Sequence, residues 1–310
     1  MPASAAASRP VSPYLLLTLP PLFWAINWII GRAIHADVPP MAMTFFRWLF
    51  AILMLVPFAW RWVLRDWPVM RAHWKTLVGL GAAGVGMHNA FAYLALNHTT
   101  ATNGVILNSF IPAMIIAMSW LFFRERLTRA QLAGVAVSFA GVMIIVTRGS
   151  LAALAAFRLN VGDILVLMSL LMWSIYTICL RWRPPGLHML SFLLALAVVG
   201  DLLMLPLMIG EMALGHRMVW SPATVFALLA VALMSSILAY IFWNRGVELV
   251  GPQVAGLFVH LMPVFGVVLA WLFLDERFEV YHGAGGALIL VGIWITSRRR
   301  DGAIAPAGTD

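Results

Sequence analysis

The chain has 310 residues, of which 63% are hydrophobic and 10% charged, with a mean hydropathy of +0.93. A soluble domain runs at about 45–50% apolar and about 25% charged, so a soluble globule is excluded and a lipid bilayer is the expected solvent. Lys and Arg outnumber Asp and Glu by 20 to 12, a surplus that the positions of the membrane spans account for without nucleic acid.

A helix needs about 20 predominantly apolar residues to cross the hydrocarbon core. Windows of that length predict ten spans, at 13–34, 41–62, 76–96, 102–123, 130–148, 162–181, 187–210, 222–243, 252–274 and 280–297. The first is read as a retained helix, because it runs straight into the second without a small-residue cleavage site. It carries Trp24, Asn27 and Trp28 at i, i+3 and i+4, which puts two indoles and an amide on one face. The second span begins after Pro39 and Pro40 and holds Arg47; the third holds His88 and Asn89, and the fourth Asn108. Small residues fill the fifth (Ala133, Gly134, Ser138, Gly141) and the tenth (Gly283, Gly285, Gly286, Gly292). The sixth offers Trp173 and Tyr176 at i and i+3, together with Cys179, which as the lone cysteine cannot form an internal disulfide. Asp201 in the seventh is the only acid deep in a span; Ser235 and Ser236 follow in the eighth and His260 in the ninth. Polar groups retained in hydrocarbon are costly and face a cavity or another helix. Trp60, Trp62 and Trp220 lie near span ends and are read as interfacial belt.

With the first residues on the cytoplasmic side, the segments on that side hold 14 of the Lys and Arg residues and the opposite side 5. The positive-inside rule therefore places both termini in the cytoplasm, and contact with anionic lipid explains the surplus. The expected layout is a tail over 1–12, a first five-helix repeat over 13–148, a second over 162–297, and a tail over 298–310.

The repeat is visible in the residues. Pro21-Leu22-Phe23-Trp24-Ala25-Ile26 matches Leu170-Leu171-Met172-Trp173-Ser174-Ile175, with Arg32 and Arg181 at the same offset. Pro112, then Ser119-Trp120-Leu121-Phe122 and Glu125-Arg126, matches Pro263, then Ala270-Trp271-Leu272-Phe273 and Glu276-Arg277. Because five is odd, the second copy enters the membrane upside down, the arrangement of alternating-access transporters with a site near the midplane. The fold class expected is all-α and integral to the membrane, ten helices as two inverted five-helix repeats.

These stretches resemble the two repeats of the drug/metabolite transporter superfamily, EamA-type branch, over nearly the whole chain. Pro39, Pro40 and Arg47 also match the first-repeat pattern, whereas the second repeat has about Leu196 where a symmetric Arg would stand. The resemblance implies a ten-helix exporter or permease; more narrowly, the chain is similar to bacterial exporters of aromatic and related apolar amino acids such as methionine.

The midplane set expected to bind substrate is Trp24, Asn27, Trp28, His88, Asn89, Asn108, Trp173, Tyr176, Ser235, Ser236 and His260. None carries a fixed charge. Aromatic faces hold an apolar side chain by stacking and burial, while amides, hydroxyls and neutral imidazoles hydrogen-bond a zwitterion. A buried organic cation needs a counter-charge, and the first helix has no acid, so a neutral amino acid is favoured over a cationic drug. Trp24 and Trp173, as repeat partners, are expected on opposite walls of one cavity. His88, His260 and Asp201 are the candidate proton-coupling groups, with facilitated transport as the alternative. Arg47 either pairs with Asp201 or snorkels outward.

An enzyme or ATPase motor is not expected, because there is no P-loop, no pair of intramembrane acids for proteolysis, and the only lysine, Lys75, lies in a loop; no cofactor or metal is expected either. A filter motif of the kind that marks a channel is not found. The expected partners are a small-molecule substrate and the bilayer, with the small-residue faces of helices five and ten packing within the bundle or, alternatively, joining a homodimer.

Overall fold

The computed structural model describes residues 12–34, 36–95, 98–99, 101–150, 160–273 and 277–297. The expected tails, apart from Ser12, lie outside them. Among the described residues ten helices are long and apolar enough to span a membrane: α1 (Pro13–Gly31), α2 (Pro40–Ala72), α3 (Trp74–Ala95), α4 (Ile106–Phe123), α5 (Arg129–Val146), α6 (Val161–Trp182), α7 (Met189–Ala213), α8 (Pro222–Val250), α9 (Pro252–Phe273) and α10 (Val280–Ser297). The Tyr14 hydroxyl donates to the Ser297 carbonyl at 3.2 Å, so α1 begins where α10 ends. That side of the bundle is called the terminal face here.

Two helices run beyond their expected ends, α2 to Ala72 and α8 to Val250. Hydropathy falls there because Arg, Asp, Glu and Asn enter, yet Arg and Glu are good helix formers and Asp and Asn cost only about 0.7 kcal/mol each, so the backbone continues after the apolar run stops. Local sequence sets several starts. Thr128 with Gln131, and Asn160 with Asp163, form reciprocal capping boxes at α5 and α6.

The antiparallel pair α2–α7 is fastened at both ends by a carboxylate from one helix on the amides of the other. Glu211 in α7 accepts from the backbone N–H groups of Met41 and Ala42 at 3.1 and 2.8 Å. At the other end Asp66 in α2 accepts from the N–H of His188, just before α7, at 2.8 Å. Each acid meets the positive end of a helix dipole, and the two contacts are related by the inversion of the repeats.

Helices α5 and α10 interlock through glycines. Gly134 lies against the Gly292 carbonyl and Thr296, and Gly141 against the Gly285 carbonyl and Ile289. A Cβ at any of these four glycines would strike the facing backbone. The close approach that small residues allow is thus used inside the monomer, and a homodimer expected through these two helices would have to use their other faces.

Irregular turns fall at matching places in the two repeats. A π-helical stretch interrupts α3 at Ala82–Met87 and α8 at Ala232–Leu238. Near the start of α4, helix is broken at Ser109 and Phe110, and α9 tightens to a 3₁₀ turn at Phe258–His260. Proline explains the second pair: Pro112 and Pro263 lack an N–H and crowd the carbonyl four residues earlier.

Candidate substrate site

The two proline-induced breaks face each other. His260 in α9 places Nε2 at 2.9 Å from the Ser109 carbonyl in α4, and Nδ1 at 2.7 Å from the Ser138 hydroxyl in α5. A carbonyl only accepts, so Nε2 carries a proton, and in the neutral ring Nδ1 would accept from the Ser138 hydroxyl; both nitrogens are used. Beside it opens a cleft of about 170 Å³, lined by Ala25, Trp28 and Ile29 of α1, Asn108 and Ser109, Val142 of α5, and Val259, His260, Met262, Pro263 and Gly266 of α9. These positions lie from the middle of the bundle toward the face opposite the termini. Irregular backbone at membrane depth occurs where it is buried or lines a cavity. The volume is below the roughly 300–1,000 Å³ of drug-sized pockets and suits a small metabolite.

Of the sequence-expected set, Trp28, Asn108 and His260 line this cleft. Trp28 is 46% exposed. Asn27, one position back, keeps a buried Oδ1 without a hydrogen-bond partner. The other aromatic residues assemble into a packed cluster at the centre. Trp173, only 3% exposed, lies 5.2 Å edge-on from Trp24, 5.4 Å from Trp243, 5.3 Å from Tyr176, 5.6 Å from Tyr240 and 5.0 Å from the His88 ring. Trp24 and Trp173 therefore touch instead of flanking an open space. Tyr176 donates to Asn244 Oδ1 at 2.6 Å, and Tyr240 to the carbonyl of Gly84 in the α3 π-turn at 2.7 Å. Gly84 is required there, since a Cβ would collide with the Tyr176 ring.

His88 Nδ1 donates to the Ser169 carbonyl at 3.1 Å, and the Ser169 hydroxyl donates to the His88 carbonyl at 2.8 Å. Ser235 ties the α8 π-turn to α1 through the Phe23 carbonyl at 2.8 Å, while the buried Ser236 hydroxyl makes no hydrogen bond. Asn89 is buried and bridges inward, accepting from Arg47 Nη2 and donating to the Val85 carbonyl, both at 2.7 Å. Arg47 is 5% exposed, so it does not snorkel. It makes no ion pair with Asp201 among the described residues, although the two act on one another electrostatically. One oxygen of Asp201 and the Nε of Arg47 stay buried without partners.

Tyr240, Trp243, Asn244 and Trp48 are the central residues that sequence reasoning missed. Tyr240, Trp243 and Asn244 repeat the i, i+3, i+4 spacing of Trp24, Asn27 and Trp28. The spacing is visible in the sequence, but its last member, Asn244, falls just beyond the apolar run of the eighth span, 222–243.

The terminal face carries the charged contacts. Every ion pair recorded among the described residues lies there: Arg65–Asp66, Arg181–Glu125, Arg183–Glu248 and Arg245–Glu248. Glu125 also accepts from Gln253 Nε2 at 3.2 Å, joining the end of α4 to the end of α6 and the start of α9. Glu276, the repeat counterpart of Glu125, lies outside the described residues.

The sequence profile of the EamA-like transporter family matches residues 11–147 and again residues 160–298. The chain belongs to the EamA-like transporter family. This EamA-like protein is accordingly a membrane transporter of the drug/metabolite superfamily and not an enzyme, and the two matches coincide with its two inverted repeats. It is 29% identical to an uncharacterized transporter of Archaeoglobus fulgidus, over 93% of this chain and 98% of that one. It is 25% identical to a probable terminal-alkyne amino-acid exporter of Streptantibioticus cattleyicolor, over 74% of this chain and 75% of the relative. A solved crystal structure superposes with a TM-score of 0.76 over 94% of this chain and 97% of its own, at 19% identity, which shows a shared fold.

Proposed function

We propose that this transporter exports neutral amino acids with aromatic or other apolar side chains, such as phenylalanine, tryptophan, tyrosine and methionine, across the inner membrane by alternating access. The observation that carries the reading is the cleft at the facing helix breaks. Its polar groups, Asn108, the Ser109 backbone and His260, are uncharged, and its remaining wall is aromatic and aliphatic. Such a lining binds a zwitterion through hydrogen bonds and an apolar side chain through burial, and it offers no carboxylate to an organic cation. The resemblance to a relative named a probable amino-acid exporter is consistent with this substrate class.

Arg181–Glu125 and Arg183–Glu248 tie different elements together on the terminal face while the cleft lies toward the opposite half, which supports release of substrate toward the face opposite the termini. With the termini cytoplasmic, as the charge distribution favours, that direction is export. For proton coupling, His260 is already committed to two hydrogen bonds. The unpartnered oxygen of Asp201 and the ring of His88 are the better placed groups.

The test is flux in proteoliposomes. Labelled phenylalanine, tryptophan or methionine should move down a gradient and be competed by the unlabelled amino acid, and an imposed pH gradient should alter the rate if Asp201 or His88 couples protons. Movement of organic cations but of none of these amino acids would reverse the assignment.

A further inference from the structure

The end of α2 forms a charged and aromatic surface that transport does not use. At 1.5 Å per residue, the 33 residues of α2 reach about 50 Å, against a hydrocarbon core of about 30 Å. Its last turns therefore stand in the headgroup region on the terminal face. There the Trp62 ring is enclosed: the His188 ring stacks on it at 4.0 Å, nearly parallel, and the guanidinium carbons of Arg65 and Arg61 lie 4.5 and 5.0 Å from its centre. Arg61, Arg65 and Arg183 all lie close enough to act on His188 electrostatically.

The anions nearby do not balance them. Asp66 is buried, with one oxygen taken by Arg65 and the other by the His188 amide. Glu248 is divided between Arg183 at 3.6 Å and Arg245 at 2.8 Å. Arg61 has no ion-pair partner among the described residues, and the Arg65 side chain is 52% exposed. Exposed apolar residues also run along α2, Leu53, Val56, Trp60, Leu64 and Trp67, at spacings of three or four that share one helix face, and Arg61 borders that face three residues before Leu64.

We propose that the end of α2 and the start of α7 bind the phosphate of an anionic phospholipid, with Arg61 and Arg65 around Trp62 taking the headgroup and the Leu53–Trp67 stripe taking an acyl chain. A lipid fits better than a free anion because Arg61 borders the exposed apolar face of α2 beside Leu64, and because exposed tryptophans favour the interface. Arg presents a planar fork suited to phosphate. Since Asp66 and His188 join α2 to α7 at the same place, a bound lipid would brace that joint.

The experiment is native mass spectrometry of the full chain released from mixed phosphatidylcholine and phosphatidylglycerol. Phosphatidylglycerol should be retained preferentially. Replacing both arginines, Arg61→Ala with Arg65→Ala, should reduce that preference about thirtyfold, whereas Arg71→Ala with Lys75→Ala, on the same face of the membrane but outside the cluster, should leave it in place. The charge-keeping pair Arg61→Lys with Arg65→Lys should retain part of it, which guards against misfolding. Equal retention of the two lipids by the unaltered chain overturns the proposal. So does displacement of phosphatidylglycerol by inorganic phosphate at equal phosphorus concentration, which would identify a free anion as the ligand. The readout does not pass through transport, so it stands or falls apart from the substrate assignment.

Discussion

The central aromatic cluster and the cleft beside it are built from the same residue types and have opposite characters. Trp24, Trp173, Tyr176, Tyr240 and Trp243 meet one another's rings and leave no space, whereas Trp28, Asn108 and His260 border a cleft. The difference comes from their neighbours. Five rings stand around Trp173, and Gly84 lets the π-turn of α3 close over Tyr176. Around Trp28 the facing positions are Ala25, Pro263 and Gly266, and the proline breaks keep two helices from filling the gap. Tryptophan in a membrane helix is therefore a site or a core according to what stands opposite, and its spacing alone does not decide which.

Substitutions that separate the two regions should differ in kind. The largest effect is expected for Trp173→Ala, which removes a buried indole touching five other rings; destabilisation of about 3–5 kcal/mol should appear as a large drop in thermal unfolding temperature, with transport lost alongside. Tyr176→Phe should cost about 1–3 kcal/mol, because Asn244 Oδ1 would lose its buried donor. Asn108→Leu should change stability by no more than about 0.5 kcal/mol, as for a substitution outside a packed network, while raising the KM for phenylalanine transport. A loss of stability at Asn108 as large as at Trp173 would erase the distinction between core and cleft.

The smallest effect is one of pH, outside both regions. Burial, and then the charge of Arg65, hold His188 below its ordinary value of 6.5, and its Nδ1 accepts from the Leu190 amide at the start of α7 at 3.2 Å. The unfolded chain thus binds this proton more readily than the folded one. Stability should be unaffected by His188 above about pH 6.5 and decline as pH falls below it. His188→Asn, which keeps a helix cap, should flatten that slope in thermal unfolding measured between pH 7 and 5.

Much of the fold was legible because each span is a long apolar run and because Trp24 and Trp173, Pro112 and Pro263 mark the repeat. Pro112 and Pro263 also foreshadow the two breaks, since a missing N–H is a local property. The π-turns were not legible: Ala82–Met87 reads as ordinary apolar helix, and its extra residue is stabilised by tertiary contacts such as Tyr240 on the Gly84 carbonyl. The direction of Arg47 was equally hidden. A cation near a span end can reach outward or inward, and the side-chain Oδ1 of Asn89 facing it from α3 decides. Within the expected site, sequence located the polar and aromatic residues but could not divide those that pack from those that border space.

The central claim is that the cleft beside Asn108 holds the substrate. In a Cys179→Ser background, Asn108→Cys would place a single thiol in the cleft wall, and its labelling rate by a small maleimide in proteoliposomes can be followed with and without amino acid. Phenylalanine should slow labelling in a saturable way, while choline at the same concentration should not. An unchanged rate at phenylalanine concentrations that saturate transport would contradict the placement of the substrate in this cleft.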